Sequence, residues 1–411
     1  MKVLISAYIC EPSSSSEAEV GWQWVTRLSK FHKLVVITKK PKSLQNVEKF
    51  ISENKNLRFE YYDLPKIFDF MRTGDIRHFI YYNLWQIGAY FHAKKLVKKE
   101  KFDLVHHLVY VNTWQPTYMA FLGIPFIYGP IGEHPRVPHR IIKYHGWKTS
   151  LRDSIISYAR YVSKNFNPLM RKVYNRASRI IVINNEIYSG MAVAIKEKTY
   201  IMPAGGVFLP DIDLDNKITE NNNKFMILYV GRFVYIKAPD IALEAFLKFA
   251  EKYINVELIM IGGGKLEFLL KKIIQSSPDK HKVNLLGWLD RKEVIEYMKR
   301  CDVFLFPTFE GGGMVVLEAM SYGKPIICID YGGPKDFVSD ECGIKIPLTN
   351  RRQIIKDLSE ALDKLYNDND LRLKLGKAAR ERVEDYYTWD KKAEWMNKIY
   401  NEVIESQLPI A

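Results

Sequence analysis

Residues Val303–Val338, VFLFPTFEGGGMVVLEAMSYGKPIICIDYGGPKDFV, read as a buried strand, a glycine-rich loop, a helix and a second buried strand that ends in another Gly-Gly turn. Two carboxylates, Glu310 and Glu318, bracket the loop and the helix start. Backbone N–H groups of Gly311, Gly312 and Gly313 are expected at that helix N-terminus, where the macrodipole favours an anion. Met314 and Val315 open the helix beside them. Glycine lets a ligand approach the backbone closely. A carboxylate accepts hydrogen bonds from neighbouring hydroxyls, such as those of sugars and riboses. An anion cradle flanked by hydroxyl-binding carboxylates suits a sugar nucleotide.

The surroundings extend the pattern. Apolar, β-branched runs alternate with helical segments from end to end. Strands are expected at Lys2–Tyr8, Leu34–Thr38, Leu57–Tyr62, Leu104–Leu108, Phe126–Tyr128 and Ile180–Ile183. A second series follows at Met226–Val230, Glu257–Ile261, Val283–Leu286, Val303–Phe306, Ile326–Ile329 and Gly343–Ile346. Near-continuous apolar strands between helices indicate parallel sheets covered on both faces. Two series in 411 residues give two doubly wound α/β domains. The boundary falls in 204–224, rich in Pro, Gly, Asn and Asp. The expected division is 1–203, a linker over 204–224, a second domain over 225–388 and a terminal amphipathic helical segment over 389–411.

Charge is unevenly shared. Residues 1–200 hold 31 Lys/Arg against 15 Asp/Glu, whereas the remainder holds 30 against 32. The whole excess of +14 belongs to the first half. No nucleic-acid motif accompanies it, so nucleic acid is not an expected partner. An anionic membrane surface or a phosphate-bearing acceptor fits as well as charge that serves solubility alone. Residues 67–101 and 136–179 mix aromatic side chains with cations, which suits either a membrane interface or helices buried on one face with snorkelling cations on the other. No apolar run reaches the 18 or so residues that span a bilayer. Four scattered cysteines without CxxC spacing suggest a reduced, cytoplasmic setting.

Further candidates lie at other strand ends. Met226–Lys237, MILYVGRFVYIK, is a strand, a turn at Gly231 and two cations, Arg232 and Lys237, placed where open α/β sheets bind ligands. They can clamp a diphosphate, Arg by a bidentate fork and Lys as a point charge. Gly262 and Gly263 end the next strand, and Trp288 follows the turn at Gly287 as either a rim or a core aromatic. In the first half, CEPSSSSEAEVGWQW (Cys10–Trp24) opens a helix with Glu17, Glu19 and Gly21; the carboxylates bind acceptor hydroxyls or cap the helix. His106 and His107 end one strand, and strand alternation turns them to opposite faces. Glu133 and His134 follow another strand as candidate acceptor contacts.

Glu310 and Glu318 in this context resemble the E-x7-E signature of the retaining, nucleotide-sugar-dependent glycosyltransferases of GT-B fold, the group 1 or family 4 set. The Gly231-Arg232…Lys237 element resembles that family's donor-diphosphate clamp. The Cys10–Trp22 stretch is similar to its polysaccharide-building bacterial and archaeal members. The resemblance implies two Rossmann-like domains and a terminal helix that returns to the first. It gives Glu310 the transferred sugar and Glu318 the ribose. Gly311 and Gly313 would meet sugar and phosphate by backbone, with Gly21 admitting the diphosphate from the other domain and one of His106 and His107 touching donor or acceptor. It implies a nucleotide-diphosphate sugar donor, a glycan or lipid-linked acceptor and no cofactor or metal. Ala238 stands where the family carries Gly, a change expected to cost little if the backbone there is helical. Asp211-Ile-Asp213, Asp213-Leu-Asp215 and Asp368-Asn-Asp370 match D-x-D formally, with solvation or capping expected instead. The rival readings are a glycoside hydrolase with Glu310 and Glu318 as paired carboxylates and a non-catalytic basic membrane-binding protein.

Overall fold

The computed structural model of the chain describes residues 1–12, 16–42, 44–72, 74–133, 137–211 and 224–407. The chain divides into two compact units, Met1–Glu133 with Tyr158–Gly205 and Trp389–Ala411, and His134–Ser157 with Gly206–Thr388. The stretch before Ser157 thus belongs to the second unit, although chain order alone groups it with the first. Val137, Ile141 and Ile142 lie in the second unit's core, and their burial there is the physical reason.

In the first unit the strands are β1 (Lys2–Ala7), β2 (Lys33–Thr38), β3 (Leu57–Tyr61), β4 (Leu104–Val109), β5 (Phe126–Ile131), β6 (Arg179–Val182) and β7 (Thr199–Ile201). They form one sheet in the order β3-β2-β1-β4-β5-β6-β7, parallel throughout. All six strands expected from sequence are present. Only β7 escaped the reading, because three residues carry too little periodicity. Helix Ser16–Leu28 packs so closely on this sheet that a Cβ on Gly21 would stand 2.8 Å from the Ile9 carbonyl oxygen. Gly21 is therefore buried as a helix–strand contact. Helix Trp389–Glu405 buries Trp389, Met396, Ile399, Tyr400 and Val403 in the same unit.

In the second unit β8 (Phe225–Val230), β9 (Val256–Ile261), β10 (Val283–Gly287), β11 (Val303–Phe306), β12 (Ile326–Ile329) and β13 (Gly343–Ile346) form a parallel sheet. Its order is β10-β9-β8-β11-β12-β13. In both sheets the order reverses beside the first strand of the series, between β1 and β4 and between β8 and β11. A doubly wound sheet binds ligands outside the carboxyl ends of its strands at such a reversal. Asp368 accepts a hydrogen bond from Leu371 N at 2.8 Å and so caps helix Asn369–Tyr386. The two other D-x-D matches reach into 212–223, outside the described residues.

The paired histidines of β4 are structural. His106 is fully buried, with Nδ1 2.6 Å from the Tyr400 hydroxyl and Nε2 2.7 Å from the Gly129 carbonyl oxygen. His107 is buried on the opposite face, against Thr117 Oγ1 and the Tyr82 hydroxyl at 3.2 and 3.3 Å. Alternation separates them as expected, but helices cover both faces, so neither ring reaches the sheet's open edge. Burial lowers His106 to about 4 and His107 to about 3. With an unfolded value near 6.5, each histidine takes up its proton in the unfolded chain first. Their contribution to stability is therefore complete above that value and is lost as pH falls below it. We expect each to remove about 2 kcal/mol of stability at pH 5 relative to neutrality. Denaturant titrations at both pH values check this, and His106→Gln should flatten the dependence; a wild-type profile no steeper than the variant's overturns it.

Candidate active site

The second unit's site is built from the loops that leave β8 and β11. After β8 the chain passes Gly231 and Arg232 and makes a short 3-10 turn over Tyr235–Lys237. Both flanking strands fix that turn. The Tyr229 hydroxyl donates to the Lys237 carbonyl at 3.0 Å, while Phe309 N and Thr308 Oγ1 donate to the Ile236 carbonyl at 2.7 and 3.1 Å. Lys237 Nζ then reaches Glu310 Oε1 at 2.8 Å and stands 5.1 Å above the Phe306 ring. The pair is nearly sealed, at 14% and 12% side-chain exposure. Arg232 points outward beside it with no partner for its guanidinium among the described residues. One fixed and one open cation thus stand at the sheet's reversal point.

The glycine loop takes its shape from the second Gly-Gly turn. Gly333 N donates to the Glu310 carbonyl at 3.0 Å. A Cβ on Gly333 would lie 1.8 Å from the Gly312 carbonyl oxygen, so no side chain fits between the two loops. Gly313, at φ 98°, caps helix Met314–Ser321. The amides of Met314 and Val315 have no intrahelical acceptor, as at any helix start. They are the groups an anion would meet, one step further along than the amides of Gly311 and Gly312.

Glu318 lies in that helix with its side chain 32% exposed and its carboxylate 3.3 Å from Arg291, which is 74% exposed. Burial among apolar neighbours raises its carboxyl, and Arg291 offsets part of the rise. Arg291 carries no motif; its only signal in the sequence is a charge at the start of an amphipathic helix. Trp288 is a rim residue, 69% exposed, with its indole edge against Gly263: a Cβ there would stand 2.7 Å from Trp288 Nε1. Gly262 N donates to the Gly287 carbonyl at 2.8 Å and ties this rim to the end of β9.

A second group missed by sequence reasoning supports the turn from behind. Arg351 reaches Asp240 at 2.8 Å and Glu244 at 2.7 Å, while its guanidinium stacks 3.9 Å from the Tyr144 ring centroid. His145 stands 3.7 Å from Asp240. Centred on the buried Asp240, this cluster ties Tyr144 and His145 to helix Pro239–Ala250, which begins just past Lys237 and Ala238.

In the first unit the acceptor candidates are less convergent. Glu17 starts helix Ser16–Leu28, exposed, and accepts a hydrogen bond from the Tyr110 backbone just past β4. Tyr110 holds φ 60°, a left-handed conformation its sequence does not signal. Glu19 accepts from Gln23 Nε2 at 2.5 Å, and Glu133 accepts from Thr113 Oγ1. His134 lies outside the described residues.

Ala238 corrects the expectation of a helical backbone. It is left-handed, φ 46° and ψ 47°, and buried at the start of helix Pro239–Ala250. A Cβ in that region costs about 1–2 kcal/mol, which the entropy of a glycine in the unfolded chain offsets in part. Ala238→Gly is expected to stabilise the protein by up to about 1 kcal/mol; a lowered denaturation midpoint would contradict the strain.

Comparison with known proteins agrees with this geometry. Residues 211–382 match the family model "Glycosyl transferases group 1". An uncharacterized glycosyltransferase of Methanocaldococcus jannaschii is 28% identical over 323 residues, covering 77% of this chain and 80% of that protein. The alpha-monoglucosyldiacylglycerol synthase of Acholeplasma laidlawii is 27% identical over 255 residues, covering 56% of this chain and 59% of the relative. In structure, HepE of Anabaena in complex with UDP-glucose superposes over 99% of this chain and all of its own, with a TM-score of 0.56 at 16% identity. Residues 211–382 thus carry a group 1 glycosyltransferase domain, and the chain is a glycosyltransferase of the two-domain GT-B fold.

Proposed function

We propose that the enzyme moves a sugar from a nucleotide-diphosphate donor to a hydroxyl of a glycan or lipid-linked acceptor. In this reading it works with retention at the anomeric carbon and without a metal, in cell-surface polysaccharide or glycolipid synthesis at the cytoplasmic face of the membrane. The observation that carries the donor chemistry is the Lys237–Glu310 pair beside the open Arg232 and the start of helix Met314–Ser321. UDP-glucose bound to a protein of the same fold supports the donor class.

As the bond between the anomeric carbon and the phosphate oxygen breaks, negative charge grows on the departing diphosphate. Arg232, Lys237 and the helix amides stabilise it. Glu310 accepts hydrogen bonds from the sugar hydroxyls while keeping Lys237 in place, and Glu318 accepts from the ribose. The acceptor oxygen bonds to the anomeric carbon on the face the phosphate leaves, and the departing phosphate takes the acceptor's proton. No enzymatic nucleophile is required. A hydrolase built on Glu310 and Glu318 would leave Arg232 and Lys237 without a task.

Arg232 is exposed and has no partner among the described residues, so Arg232→Ala should unfold at the wild-type temperature yet lose transfer by about a hundredfold or more. Glu310→Ala should do the same to turnover. UDP or GDP should raise the unfolding temperature of the wild type through preferential binding to the folded state. Full activity in both variants would sink the assignment of the site.

A further inference from the structure

Helix Trp147–Phe166 turns its apolar side to solvent. Trp147, Leu151, Ile155, Tyr158, Val162 and Phe166 recur at spacings of four, four, three, four and four, which places them on one stripe of an α-helix. Each is exposed, between 38% and 70%. The stripe runs the length of a 20-residue helix, roughly 30 Å at 1.5 Å per residue.

The polar side of the same helix faces the protein. Ser150 is buried, the Tyr235 hydroxyl donates to Asp153 at 3.3 Å, and Ser163 Oγ donates to the Trp114 carbonyl at 2.6 Å. The Arg160 guanidinium lies 5.6 Å from the Trp114 ring. An amphipathic helix seated on its polar side, with an unbroken apolar stripe outward, needs a second surface to cover it.

Charge identifies that surface. Residues 137–176 hold nine Lys/Arg and a single acidic residue, Asp153, which is already engaged. Lys148 and Arg152 follow the first two stripe residues directly. Arg171, Lys172 and Arg176 continue the basic run in the next helix, Pro168–Arg176. A helix that pairs an aromatic and aliphatic stripe with flanking cations lies flat in the headgroup region of a bilayer, stripe inward. Anionic lipid adds attraction for each cation near the surface. A second copy of the chain would instead set the cations beside the stripe, Lys148 and Arg152 among them, against their own kind. Among the described residues no helix is long and apolar enough to cross a membrane, so the contact is with one leaflet.

We propose that helix Trp147–Phe166 docks the protein on an anionic membrane surface. The docking stands on the helix alone. Its use, delivery of a lipid-linked acceptor, rests on the glycosyltransferase reading above.

Cosedimentation with phosphatidylcholine vesicles, with and without phosphatidylglycerol, tests the proposal. The comparison is between wild type and Trp147→Ser/Ile155→Ser/Phe166→Ser. Wild type should bind the anionic vesicles, lose that binding in high salt as headgroup attraction is screened, and bind pure phosphatidylcholine weakly. The triple variant should lose about tenfold or more of the partition with unchanged unfolding temperature, because the three side chains are exposed. UDP protection against heat is measured in the same samples. Vesicle binding without UDP protection retires the donor chemistry and keeps the docking; UDP protection without vesicle binding does the reverse. Equal partition of variant and wild type overturns the proposal. So does a concentration-dependent dimer that the triple variant abolishes, which would name a second copy as the occupant.

Discussion

At the carboxyl ends of β11 and β12 two loops meet with no room for a side chain between them. The Gly333 amide bonds to the Glu310 carbonyl, and a Cβ on Gly333 would penetrate the Gly312 carbonyl oxygen. This backbone-on-backbone contact fixes where Glu310 leaves its strand. It also fixes where Gly313 turns left-handed to begin helix Met314–Ser321. Glu310 holds Lys237, and the amides of Phe309 and the hydroxyl of Thr308 hold the turn that carries it. Move the glycine contact and the pair, the helix start and the turn after β8 all move.

The Lys237–Glu310 pair is a poor device for stability alone. Sealing two charges from water costs about as much as their attraction returns, so apolar residues would serve a fold as well. Its worth is preorganisation. An ammonium has three donors, and Glu310 uses one. Among the described residues the remaining two meet no hydrogen-bond acceptor, so in the proposed reaction an arriving diphosphate would find them already in place. Arg232 complements it: it is exposed and without a partner among the described residues, whereas Lys237 is held between Glu310 and the Phe306 ring.

Most of the sheet architecture was legible in sequence, because buried parallel strands write themselves as apolar runs between amphipathic helices. So was the course of 303–338 as strand, glycine loop, helix and strand, since glycines between two apolar runs mark the turns. The failures share a cause: local sequence does not report what lies opposite. Gly21 reads as a ligand-admitting glycine but faces the Ile9 carbonyl. The resemblance gives one of His106 and His107 a contact with donor or acceptor, yet helices cover both faces and their nitrogens are satisfied internally. Ala238 gives no hint of a left-handed backbone, because alanine is the residue most content in a right-handed one. The acceptor candidates were named from loops whose convergence depends on long-range packing, and Arg291, Tyr110 and the Arg351 cluster carry no motif at all.

The two aromatic, basic stretches of the first half turn their apolar stripes in different directions. In helix Asp75–Lys99, Tyr81, Tyr82, Trp85, Ala89 and Ala93 recur at helical spacing and are buried in the core. In helix Trp147–Phe166 a stripe of the same period faces water. Periodicity establishes that a stripe exists; it cannot give the stripe's direction. Direction follows from which side the neighbouring chain engages. Asp75–Lys99 is bound through its apolar side, where Trp85 Nε1 donates to the Tyr62 carbonyl at 2.8 Å from within the core. Trp147–Phe166 is bound through Ser150, Asp153 and Ser163, all on its polar side. Once serine and aspartate take the inward positions, the apolar stripe has nowhere to go but outward, and the flanking cations determine what kind of surface can receive it.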